Sequence, residues 1–312
     1  MTSTTIDVHH HILPDFYRSA VAQSKAGFVS ITTGFPSWTV DSSLSMMEKC
    51  AIETAVVSIS TPGVHFGDDG AARELARQCN EYCRSLMRDH GRRFGAFAAL
   101  PLPDVRSALA EMDYCLDTLK LDGICILTSY GEHFLGDPYF DPILEEANRR
   151  SAVVFIHPSF NRLNRPPSLA APAFVSEYPL ETTRAVTNML YQRTLERYPN
   201  ISFILSHAGG CAPYLAWRYL VASDIDTGLP QFGENALAQL RRFYFDTALS
   251  AGPATMAALN TVADPERILF GTDFPMGPLK VAERSSAELR PQFDKLGRNA
   301  KALFPRLAGA MV

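Results

Sequence analysis

Short runs of β-branched and apolar residues recur eight times along this chain, each followed by a longer connection and several of those with helical spacing. No other feature restricts the fold as strongly. The runs are TIDVHH (5–10), TAVVSIS (54–60), FGAFAAL (94–100), GICIL (123–127), AVVFIH (152–157), ISFILSH (201–207), FYFDTA (243–248) and ILFGTD (268–273). Several are almost wholly apolar, as suits parallel strands buried on both faces. Helical periodicity fills 69–90, 104–121, 138–150 and 179–199, with Pro103-Asp104 and Asp137-Pro138 as start signals. Strand and helix alternating to a count of eight predict an α/β fold of the (β/α)8 TIM-barrel kind, a single domain over 1–312. A doubly wound sheet is the alternative, but no Gly-x-Gly-x-x-Gly follows the first run to support its dinucleotide-binding form.

Two connections are long, residues 12–41 after the first run and 158–178 after the fifth. Loops of that length in a compact domain are usually functional, and in a barrel both would lie on the catalytic face. A net charge of -4 without a basic run argues against nucleic acid as a partner. No apolar run approaches the ~18 residues of a membrane span, and no signal peptide is recognisable. Six scattered cysteines, with Cys79 and Cys83 one helical turn apart, read as packing residues in a reducing compartment, so the expected location is the cytoplasm.

The eight histidines are unevenly placed. His9 and His11 end the first run, His157 the fifth and His207 the sixth, with His65 and His133 in the loops after the second and fourth. His10 accompanies the first pair, and His90 alone falls at the opposite end. In an extended strand side chains alternate, so Asp7, His9 and His11 are expected on one face and His10 on the other. Asp273 ends the eighth run. Singly, each has an ordinary explanation: a semi-buried His before Pro158, a turn at His207-Ala-Gly-Gly, a helix cap or Asx turn at Asp273. Jointly, three imidazoles and one carboxylate carried by strands one, five and eight describe a divalent-metal site with room for a further ligand.

Asp7-x-His9-x-His11, a His closing strand five, His207-Ala-Gly-Gly closing strand six and Gly271-Thr-Asp273-Phe-Pro together resemble the amidohydrolase superfamily, in its branch related to aminocarboxymuconate semialdehyde decarboxylase. YPLETTRAVTNML (178–190) and RYPNISFILSHAGG (197–210) are similar to the same branch, and residues 38–66 resemble decarboxylases of the 6-methylsalicylate type. The resemblance implies metal ligands His9, His11, His157 and Asp273, with His207 as the acid/base residue. His9, where some relatives carry Glu, sides with zinc-binding members, so Zn²⁺ is expected with Mn²⁺ as the alternative. The fourth run ends Ile126-Leu127-Thr128 without the Lys that bridges two ions, which implies one metal. Arg218 lies eleven residues past His207, the spacing of an Arg that reaches a neighbouring subunit's site, and this implies a homodimer. An ordinary surface Arg on a helix over 211–222 is the competing explanation. A substrate-binding Arg of the aminocarboxymuconate enzyme has no counterpart in TTGFPSWTV (32–40), which favours a smaller and less charged acid.

The resulting expectation is non-oxidative decarboxylation of a small aromatic acid such as an ortho-hydroxybenzoate. Asp273 and His207 would handle the proton, and Phe35, Trp38 and Phe160 would wall the ring. Metal-dependent hydrolysis of a lactone or amide by the same residues is the alternative. A non-catalytic scaffold would have no need to bury such groups.

Overall fold

The computed structural model describes residues 5–24, 34–159, 171–225 and 236–308. Seven parallel strands form one sheet in sequence order: β1 (Thr5–His11), β2 (Ile52–Ser58), β3 (Phe94–Ala99), β4 (Gly123–Leu127), β5 (Val153–His157), β6 (Ser202–Leu205) and β7 (Tyr244–Phe245). The eighth run is not a continuous strand. It joins the two edges through isolated bridges, Ile268 to Phe245 on β7 and Phe270 to Asp7 on β1, and so closes the cylinder. Its ladder is interrupted because side chains take its backbone donors: the Gly271 amide donates to Thr247 Oγ1 (3.3 Å) and the Thr272 amide to Asp7 Oδ1 (3.0 Å).

Side chains alternate between two apolar layers. Val56, Phe97, Cys125, Phe155, Ile204 and Leu269 point into the cylinder, while their neighbours Ala55, Val57, Ile124, Ile126, Val154 and Ile156 meet the surrounding helices. Phe97 and Phe155 stack at 5.2 Å inside, and Phe304 and Leu307 join them from the C-terminal end of the chain. The sheet ends where polar residues replace this filling.

Helices cover the outside. Asp68 accepts from the Ala71 amide to start Asp69–Asp89, and Leu75, Cys79, Cys83 and Leu86 form its buried stripe. The Cys79 and Cys83 thiols are free and buried in that packing. Three expectations are refined. The 12–41 connection carries its own helix, Asp15–Gln23. The 104–121 stretch is helical only over Val105–Asp113, followed by a wider turn at Tyr114–Thr118. The 179–199 stretch starts at Glu177 and divides into Glu177–Tyr191 and Thr194–Arg197. No helix among the described residues is long and apolar enough to cross a membrane.

Candidate metal centre

The inward-facing series that fills the cylinder continues upward into polar residues. Two residues beyond Val56 comes Ser58, beyond Phe155 comes His157, and beyond Tyr244 comes Asp246; Leu269 leads by the same step through Gly271 to Asp273. The first strand needs a correction to reach the same level. Ile6 and Val8 pack inside, so strict alternation would aim His10 inward. The register slips instead: Asp7 to His10, three residues on, opposes Ala55 to Val57, two residues on. One extra residue re-aims everything after it. His9 and His11 therefore face the interior, and His10 faces the helix Val40–Cys50. Asp7, expected beside His9 and His11, turns to His10.

His9, His11, His157 and Asp273 are all buried, and their ligand atoms lie within 4.8 Å of one another. His9 Nε2 stands 3.0 Å from His11 Nε2 and 3.2 Å from Asp273 Oδ1, and His11 Nε2 is 3.0 Å from the same oxygen. The far side of each ring is occupied. His9 Nδ1 meets Asp246 Oδ2 at 2.7 Å, His11 Nδ1 meets Ser58 Oγ at 3.0 Å, and His157 Nδ1 donates to the Pro158 carbonyl at 2.9 Å. With Nδ1–H pointing outward on His9 and His157, the Nε2 lone pairs converge on the carboxylate. Nitrogen lone pairs at this separation repel unless a proton or a cation lies between them. The donor set therefore fits one divalent ion, and each imidazole has the outer partner that fixes a ligand's tautomer.

The electrostatics express the same demand for positive charge. Burial alone would depress His9, but the Asp246 carboxylate, then Asp273, push it up to about 10. Burial lowers His11, with Asp273 opposing and His9 adding to the fall. His157 is held well below the usual range by burial and by the neighbouring His11, His9 and His207. Burial would raise Asp273, yet the imidazoles of His11, His207 and His9 gathered around it hold it well below the usual carboxylate range.

His207 stands beside the cluster, with Nε2 3.8 Å from Asp273 Oδ2 and its ring 4.8 Å from that of His9. Among the described residues its buried Nδ1 has no hydrogen-bond partner. His207 also lines a cavity of about 510 Å³ with Phe174, Tyr178, Pro179, Leu249 and Ala251. That volume lies in the range of small-molecule sites. Both His207 (φ 53°) and Asp273 (φ 61°) adopt the left-handed conformation unusual for such residues. The surroundings impose it: the His207 amide donates to Asp246 Oδ1 (2.9 Å), and the Asp273 amide to the His9 carbonyl (2.8 Å). Strain of this kind, about 1–3 kcal/mol each, persists only where the structure over-determines it. Gly271 is required for a different reason, since a Cβ there would lie 2.9 Å from His9 Cβ.

The other candidate residues lie elsewhere. Arg218 is exposed on Ala216–Val221, a shorter helix than expected, beside the exposed Tyr214 and Trp217. Phe35 packs 5.9 Å from the Tyr17 ring, and Trp38 is buried with its indole N–H donating to Ser43 Oγ. Phe160 lies outside the described residues. His65 pairs with Asp69, and His133 pairs with Asp137 and stacks on Tyr139; neither joins the cluster. Asp246 escaped sequence reasoning, although an Asp inside the apolar run FYFDTA carries the same signal that singled out Asp273.

A family model described as amidohydrolase matches residues 6–304. The chain is 35% identical to a 6-methylsalicylic acid decarboxylase of Penicillium expansum, covering 98% of each protein. It is 38% identical to a decarboxylase of Penicillium terrestre, over 96% of this chain and 95% of the relative. In three dimensions it superposes on the crystal structure of 5-carboxyvanillate decarboxylase from Sphingomonas paucimobilis with a TM-score of 0.83 at 21% identity, over 97% of this chain and 99% of the other, a likeness of fold.

Proposed function

The chain belongs to the amidohydrolase family, and from that premise we propose that it is a metal-dependent, non-oxidative carboxy-lyase acting on a small ortho-hydroxy aromatic acid of the 6-methylsalicylate kind. One observation carries this reading: four donors from three distant segments converge on one point, and His207 borders both that point and a largely apolar cavity that also carries Arg284 and Glu288. His9, His11, His157 and Asp273 would hold a single ion, Zn²⁺ with Mn²⁺ as the alternative. Such an ion supplies Lewis-acid chemistry, polarising and orienting the substrate's carboxylate and hydroxyl oxygens.

The protein's own residues then move the proton. Asp273, held deprotonated in the resting site, accepts the proton that the ring hydroxyl gives up, with His207 as its relay. Delivery of that proton to the carboxyl-bearing ring carbon makes a β-keto acid. The bond to the carboxyl carbon breaks, its electron pair returns to the ring, CO2 leaves, and the phenolate takes a proton from solvent through His207. Acid/base assistance of this kind is worth roughly 10²–10⁴-fold. Phe35 remains a candidate wall for the ring, whereas the Trp38 indole is engaged by Ser43 on the His10 side of β1.

Residues 1–312 are read as one catalytic domain working in the cytoplasm. The reading includes a homodimer, supported by the position of Arg218 beside the exposed Tyr214 (82%) and Trp217 (70%). A panel of hydroxybenzoates scored for CO2 release, beside lactones and amides scored for hydrolysis, tests the activity. Turnover of salicylate-type acids is expected; turnover of the lactones or amides alone would transfer the site to hydrolysis.

A further inference from the structure

Behind the ligand strand runs a second polar chain that the reaction above does not use. Asp7, His10 and Ser43 are fully buried and Trp38 nearly so. Their hydrogen bonds fix a direction. Trp38 Nε1–H donates to Ser43 Oγ (2.9 Å), so the Ser43 hydroxyl proton is free for His10 Nε2 (2.8 Å). His10 then carries its own proton on Nδ1 and donates it to Asp7 Oδ2 (3.2 Å). Asp7 also accepts from Thr272 Oγ1 (2.5 Å), from the Thr272 amide (3.0 Å) and from the His9 amide (3.1 Å). Thr272 Oγ1 in turn accepts from the Phe274 amide at 3.1 Å. Every polar atom of the chain has a partner.

The two ends of this chain matter chemically. At one end Asp7 grips the backbone of His9 and the residue before Asp273, and the Asp273 amide is tied to the His9 carbonyl. At the other end stand Trp38 and the helix Val40–Cys50, which begins just after it. An apolar filling would hold two strands together without the desolvation cost of a buried carboxylate and imidazole. What a directed network adds is angular precision, and the atoms it orients belong to two metal-ligand candidates on different strands.

We propose that Asp7, His10 and Thr272 are positioning residues of the metal centre. Through them the Trp38–Ser43 segment sets the placement of His9 and Asp273 toward the ion. This rests on the metal reading above. Removing an outer hydrogen-bond partner of a ligand typically costs 10–100-fold in metal affinity.

The test uses the full chain with Thr272→Val, which keeps the shape and removes the hydroxyl, Thr272→Ser, which restores it, and Ser43→Ala at the far end. Three quantities are read: the Zn²⁺ dissociation constant by chelator competition, the visible spectrum of the Co²⁺-loaded protein, and the melting temperature of the metal-free chain. Thr272→Val is expected to bind Zn²⁺ 10–100-fold more weakly and to shift the Co²⁺ bands. Thr272→Ser is expected to match the wild type, and Ser43→Ala to weaken binding in the same direction. Wild-type affinity and an unchanged Co²⁺ spectrum in Thr272→Val overturn the proposal, even if the metal-free melting temperature falls. Should Thr272→Val fail to fold, the same two readouts on Ser43→Ala decide it. A wild-type protein that binds no ion overturns the metal reading itself, a different result from an indifferent variant.

Discussion

Asp246→Asn is the sharpest perturbation of the centre, because it changes one oxygen to nitrogen and leaves the rest of the residue's work intact. Oδ1 continues to accept from the His207 and Ala248 amides, both at 2.9 Å. At the other position an NH2 group faces His9 Nδ1–H across 2.7 Å. Two donors cannot share that line, so His9 must move its proton to Nε2, the atom aimed at the ion, or swing its ring away. A competing effect must be weighed. Asp246 is also what pushes His9 up to about 10, so its loss weakens the proton that competes with the metal. A divalent ion at the same place feels a carboxylate's charge twice as strongly as a proton does, so the ion loses more. The expected net loss is 10–100-fold in metal affinity, about 1.4–2.7 kcal/mol. Chelator competition at neutral pH measures it, with circular dichroism of the metal-free protein showing that the fold is kept. Affinity within twofold of wild type would refute the assignment of Asp246 as the group that orients His9.

Four further outcomes follow from the same geometry. His157→Ala should lose most of the bound metal by elemental analysis, and a near-stoichiometric ion in that variant would remove His157 from the ligand set. His207→Ala should keep the metal and lose roughly 10²–10⁴-fold in kcat, measured as CO2 release. Gly271→Ala puts a methyl group 2.9 Å from His9 Cβ and should destabilise the protein by about 1–3 kcal/mol in denaturant titration while weakening metal binding. Glu146, held at about 2 chiefly by its hydrogen bond to Arg149, has a folded-state pKa below its ordinary value near 4.5. Its contribution is present above the ordinary value and lost as pH falls toward 2. The stability gap between wild type and Glu146→Gln, about 1 kcal/mol or less, should therefore be full at pH 7 and close between pH 4.5 and 2.

The barrel was legible because buried parallel strands leave short apolar runs that helical periodicity separates cleanly. The ligand candidates were legible because each ends such a run, where an inward-facing residue leaves the apolar filling and enters the mouth. The extra residue in β1 was not legible. Nothing in IDVHHH distinguishes a regular strand from one in which His9 and His11 are re-aimed past Val8, because the slip is set by pairing with β2 and by the eighth segment. The helix Asp15–Gln23 was missed for the opposite reason. It is short, begins at Pro14 without a side-chain cap, and buries only Tyr17 and Val21. Asp246 carries the same sequence signal as Asp273, but it is not one of the four clustered donors and meets the site through the outer side of His9, so a search for metal ligands gave no reason to single it out.

Closure of the barrel and construction of the site turn out to use the same groups. An ordinary eighth strand would spend its amides on β7 and β1. Here the amides of Gly271 and Thr272 go to Thr247 and Asp7, and the amide of Asp273 goes to the carbonyl of His9. That exchange lets Asp273 take a left-handed conformation a regular strand would forbid, and this conformation turns its carboxylate toward His9 and His11. The seam where the cylinder is least regular is therefore the place where its geometry is most specified. Substitutions along it, at Asp7, Gly271 or Thr272, act on stability and on ligand placement through shared hydrogen bonds, so their effects on the two are coupled. Substitutions elsewhere on the barrel wall, where strands pair regularly, lack that coupling.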